Sequence, residues 1–106
     1  MQTKINRDLR GAWQANTRIM LDDKTVLCIS THKTFSGALV TSAAVNHLTD
    51  DGFESHTMFG DFHKIIIANK VRVTESAVKA QHDAALLVLD SIKDEIATFY
   101  ASKQAA

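Results

Sequence analysis

His56 and His63 are the residues whose type and spacing come nearest to chemistry in this 106-residue chain. Phe53 to Phe59 and Phe62 to Ala68 read as strands, separated only by Gly60 and Asp61. Gly-Asp between two apolar runs predicts a two-residue hairpin, with Gly60 at the first central position of a type II′ turn. In that register Phe59 stands opposite Phe62, and Met58 opposite His63. Phe53, Phe59, Phe62 and Ile66 then share one sheet face, and His56, Met58, His63, Ile65 and Ile67 the other. The two histidines become diagonal neighbours at ~7–8 Å, close enough to share a ligand or to act as acid and base. A metal site needs further ligands, and none stands at a recognised spacing; Glu54, His32 and His47 are compatible with the geometry only. The preferred account makes both histidines structural and assigns no metal, no cofactor and no catalytic residue.

Other chemistry is equally sparse. Cys28, the single cysteine, lies in an apolar run and is expected to pack as a small hydrophobe. Asp61 is assigned to the turn rather than to an acid–base pair with His63. The sequence holds no Gly-x-Gly-x-x-Gly, no phosphate-loop lysine, no Cys-x-x-Cys and no His-Glu-x-x-His. This moves the common cofactor-dependent enzymes out of first place.

The elements that position these residues follow from periodicity. Residues 1–11 lack a pattern and are expected to form a loose N-terminal arm, with residues 12–106 a single α+β domain. Trp13, Ala15, Thr17, Ile19 and Leu21 alternate on one face of a strand. Thr25 to Thr31 is β-branched and apolar, after a turn at Asp22 to Lys24. Ala38 to Leu48 suits a strand through Val40, Thr41 and Val45, although Ala38, Ala43 and Ala44 would accept a helix. Asp50-Asp51-Gly52 marks another turn. Thr74 is an expected N-cap with Glu75 in the first turn, and an unbroken helix is expected to Ser102, ~40 Å long. Val78, Ala85, Leu89, Ile92, Ile96 and Phe99 form its apolar stripe, and Leu87 lies opposite them. The predicted fold is thus an antiparallel β-meander of four to five strands, followed by one long C-terminal amphipathic helix packed on the sheet.

Lys and Arg balance Asp and Glu, so the chain has zero formal net charge and no global field for nucleic acid or an acidic membrane. Its first eighteen residues are nevertheless basic, with Lys4, Arg7, Arg10 and Arg18 against Asp8. The segment from Met1 to Arg7 has no apolar run, and no stretch is long enough to span a bilayer, so a cytoplasmic protein without membrane contact is expected. The leading expectation for function is a non-enzymatic binding or assembly module acting as a homodimer, with room for a protein partner. Leu86, Leu87 and Val88 are its interface candidates, because they extend the apolar surface round the middle of the helix. A second reading is a single-stranded nucleic-acid binder using Arg7, Arg10, Trp13, Arg18 and the sheet. A third is a small metal-assisted or cofactor-free enzyme centred on His56 and His63.

Overall fold

Alternating apolar and polar residues build six strands in the computed structural model, which describes residues 2–52, 54–55 and 61–105. They are β1 (Gln2–Arg7), β2 (Trp13–Met20), β3 (Thr25–Lys33), β4 (Leu39–Leu48), β5 (Glu54–Ser55) and β6 (His63–Asn69). Two helices follow, α1 (Glu75–Leu86) and α2 (Leu89–Ala105). All strand pairs are antiparallel, in the order β1-β2-β3-β4, with β5 and β6 both on the far edge of β4. The sheet is therefore five strand positions wide. The α+β class and the meander agree with the sequence reading, and Ala38 to Leu48 resolves as a strand lying between two neighbours. No helix among the described residues is long and apolar enough to cross a membrane.

Three expectations need correction. Residues 2–7 are not a loose arm: Gln2 to Arg7 pair in register with Arg18 to Trp13. Polar composition hid this strand, because β1 is an edge whose side chains are almost all exposed. The second correction concerns the hairpin. Ser55 pairs with His47 and Glu54 with Leu48, whereas His63 pairs with Ala44 and Asn69 with Leu39. The described ends of the two runs thus lie end to end along β4. The Gly60 turn, the Phe59–Phe62 and Met58–His63 pairings and the approach of His56 to His63 lie outside the described residues.

The third correction is the helix, which is two helices and not one. The Leu87 amide donates to Asp83 O at 3.2 Å, but Val88 N reaches back only three residues, to Ala85 O at 3.2 Å. This tighter turn separates α1 from α2 without glycine or proline. Val78 of α1 packs with Ala15 and Leu39, while Ile92 and Ile96 of α2 pack with Leu27, Ile29, Val45 and Phe62. The whole predicted stripe still faces the core, and Leu87 is 87% exposed. Thr74 caps α1 as expected, its hydroxyl accepting from Ala77 N at 3.1 Å.

A register irregularity at Thr41/Ser42 sets the faces of β6. Lys64 reaches Glu95 on α2, at 2.7 Å, and Asn69 reaches Gln81 on α1, at 3.1 Å. Positions five apart share a face only because the bulge adds one residue between them. Ile66 and Ile67 consequently both pack toward the core, while Ile65 stays exposed.

Candidate functional site

Inside the core, polar groups meet in a closed network. His82 on α1 is fully buried, with Nε2 2.7 Å from Thr17 Oγ1 and Nδ1 2.8 Å from Thr31 Oγ1. Thr31 bonds Thr41 at 2.7 Å, and Thr17 bonds Thr3 at 2.7 Å. Gln81 Nε2 donates to Leu39 O at 3.0 Å and to Thr41 Oγ1 at 3.1 Å, while its Oε1 accepts from Asn69. These contacts orient the Gln81 amide. Thr41 then accepts from Gln81 and donates to Thr31, Thr31 donates to Nδ1, and Nε2–H donates to Thr17. Every buried member is satisfied when His82 is the neutral Nε2–H tautomer. Burial pushes the His82 pKa down, with Asp83 opposing. A second proton would strand the Thr31 hydroxyl hydrogen. The network holds helix to sheet and leaves no group over for a ligand. Its signal in the sequence was only polar residues on apolar-phase positions.

A second histidine reaches an acid elsewhere. His47 Nε2 lies 2.7 Å from Asp61 Oδ1, which also accepts from the Tyr100 hydroxyl at 3.2 Å. Burial raises the Tyr100 pKa. This cluster ties β4, the start of β6 and α2 together. Asp61 therefore partners His47 rather than His63, which is exposed at the head of β6. Among the described residues no three His, Cys, Asp or Glu side chains come together as metal ligands. Cys28 is not in the core: it is half-buried on the face away from the helices, where Asn46 Nδ2 approaches its sulfur at 3.3 Å. Burial raises its pKa, opposed by Arg18 and Asn46.

The sequence reading breaks the chain at Gly11 and at Thr34 to Gly37, but it missed that these are two matching turns. Asp8 N donates to Ala12 O and Gly11 N to Asp8 O, at 2.8 and 3.0 Å; Thr34 N donates to Ala38 O and Gly37 N to Thr34 O, at 2.9 and 3.0 Å. Gly11 and Gly37 take φ of 83° and 86°, a conformation that side-chain-bearing residues resist. The opening side chain locks each turn. Asp8 Oδ1 accepts from Arg10 N and Ala12 N, and Thr34 Oγ1 donates to Ala38 O. The signal was legible as Asp-x-x-Gly-Ala and Thr-x-x-Gly-Ala. In both turns the residue after the opener points outward: Leu9 is 106% exposed and Phe35 96%.

Because β2 and β3 are antiparallel, both turns lie at one end of the sheet. They enclose an open groove of about 640 Å³, lined by Asp8 to Arg10, Ala12 and His32 to Phe35. Arg10 stacks its guanidinium 5.0 Å from the Phe35 ring, and Arg7 stacks 4.8 Å from Trp13. Lys70 and Arg72, in the segment that leaves β6 at this end, are exposed as well. Arg7, Arg10, Lys33, Lys70 and Arg72 thus outweigh Asp8 and Glu75. The opposite end carries Asp22, Asp23, Asp50 and Asp51 beside Lys24, which bonds Asp50 at 3.3 Å. Zero net charge conceals a molecule with one cationic and one acidic end.

Of the four nucleic-acid candidates, the structure gathers Arg7 and Arg10 at the cationic end. Trp13 is there too, but half-buried on the helix side against Ala15, Leu39 and Val78. Arg18 lies mid-strand on the other face, paired in register with Cys28. Of the oligomer candidates, Leu86 packs against the chain's own core, whereas Leu87 and Val88 are exposed. Comparison with protein-family models, with curated proteins and with solved structures gives no match to this chain.

Proposed function

We propose that this protein is a non-enzymatic binding module whose ligand docks in the groove between the Asp8–Ala12 and Thr34–Ala38 turns. One observation carries the reading: Phe35, 96% exposed, stands under the Arg10 guanidinium on the rim of a cationic groove. Scattered exposed apolar residues are ordinary, but an aromatic and a leucine placed together on two locked turns mark a contact surface. A groove of this volume suits a ligand of small-molecule size or a short segment of a chain. Amide NMR shifts during titration with inorganic polyphosphate, and separately with a polyglutamate peptide, test it. Shifts confined to residues 8–12 and 32–38 support the site. Unmoved resonances with both probes reject it.

A second proposal keeps the homo-oligomer. Leu87 at 87% and Val88 at 43% exposure form an outward apolar step where α1 meets α2. A second copy of the chain is the cover we infer for it. Light scattering is expected to give a dimer that Leu87→Glu shifts toward monomer, since a buried unpaired carboxylate costs more than the pair gains. A monomeric wild type at working concentrations removes this proposal and leaves the groove untouched.

A further inference from the structure

We propose that the ligand of the cationic end is a single-stranded nucleic acid, its phosphates held by Arg10 and Lys33 and an unstacked base laid on Phe35. This rests on the groove being the binding site. The ligand must answer two unlike features at once. Arg7, Arg10, Lys33, Lys70 and Arg72 call for distributed negative charge, and the exposed Phe35 and Leu9 call for a flat or apolar group beside it. A nucleotide chain presents both in every repeat, because each base has a face for stacking and each phosphate a charge. A carboxylate-rich peptide would meet the cations and leave Phe35 in water. The acidic end of a second copy would meet the cations through Asp22, Asp23, Asp50 and Asp51, but its exposed apolar neighbour among the described residues is Met20, which has no flat face to lay on Phe35. A duplex keeps its bases stacked on each other and offers none to a side chain on a hairpin tip.

The two Asp8 bonds to backbone amides matter here. They commit that carboxylate to its own turn, so the acid inside the groove is already partnered. The acidic residues at the far end of the sheet repel a strand and confine it to the turn end. This geometry predicts a short footprint and strong salt dependence rather than a strand wrapped round the protein.

Fluorescence anisotropy of a fluorescein-labelled mixed-sequence single-stranded oligonucleotide, at several salt concentrations, tests the inference on the full chain. Wild type is expected to bind, with affinity falling as salt rises. Phe35→Ala is expected to weaken binding by about 5- to 150-fold, the range of one lost stacked base. Arg10→Gln and Lys33→Gln should each flatten the log–log salt slope by about 0.7. Lys24→Gln, at the acidic end, should change neither quantity. These side chains are exposed, and thermal melts check that each variant folds. Binding of a labelled polyglutamate peptide in place of the oligonucleotide, or oligonucleotide binding indifferent to Phe35→Ala, overturns the nucleic-acid inference. In the first case the groove survives as a binding site. Self-association abolished by Arg10→Gln and by Asp50→Asn alike would instead seat a second copy there and overturn it too. If neither probe binds, the inference and the groove reading fall together.

Discussion

The turn at Thr49–Gly52 and the turn at Thr34–Gly37 share one construction and present opposite surfaces. In each, the glycine amide donates to the threonine carbonyl three residues back, at 2.9 and 3.0 Å, and the glycine takes φ near 85°. Between the fixed positions, one turn carries Asp50 and Asp51, the other Phe35 and Ser36. The backbone demands a glycine at the closing position, for its positive φ, and nothing of the pair between the two ends. That pair is therefore free to serve solvent or a ligand. Acidic residues are the ordinary choice for solvent. Phenylalanine under an arginine is not, and the contrast between two equal turns is more informative than either exposure value alone.

The core between the two ends sets the scale for breaking this comparison. His82→Ala should destabilise the fold by about 3–5 kcal/mol, because it opens a cavity and takes one hydrogen-bond partner from each of the buried Thr17 and Thr31 hydroxyls. Chemical denaturation measures it, and a loss below about 1 kcal/mol would mean that the network does not hold the helix. Gly37→Val and Gly52→Val should each cost about 1–2 kcal/mol, from positive φ alone, since nothing stands within 4 Å of a Cβ at either position. Unequal costs would show that the turns are not equivalent.

Acidification sharpens the same scale. His82 has a folded-state pKa lowered by burial, so the unfolded chain binds more protons. Its contribution to stability is complete above the ordinary histidine pKa of about 6.5 and declines as pH falls below that value. The slope for one proton cannot exceed about 1.4 kcal/mol per pH unit. Melting temperatures across pH 7.5 to 5 should show the decline, and it should be reduced in His82→Leu. Smallest of all, Phe35→Asp should alter stability by no more than about 0.5 kcal/mol while remaking one turn in the image of the other. A large loss of stability there would make Phe35 a folding residue and remove the basis for the groove.

Much of this architecture was legible in the sequence. The strands between Trp13 and Leu48, the Thr74 cap and the helical stripe from Val78 to Phe99 are local patterns whose period identifies the buried face. β1 was not legible, because an exposed edge strand has no apolar phase to display. The site was half legible: the basic N-terminal segment stood out, but Arg18 belongs to another face and Phe35 lay in a different turn, joined to Arg10 only by strand pairing.

The sequence by itself determined which residues are apolar at strand and helix spacing, that the chain turns at Asp50-Asp51-Gly52, and that opposite charges balance. Tertiary structure alone decided that the balance is spatially divided, because antiparallel pairing sends alternate turns to opposite ends of the sheet. It also decided the break at Leu87 and Val88, where the apolar pattern runs on and no glycine or proline marks a stop. Finally, it decided the state of His82. No spacing rule places an imidazole between two threonines on separate strands; only packing α1 against β2 and β3 brings those oxygens to its two nitrogens.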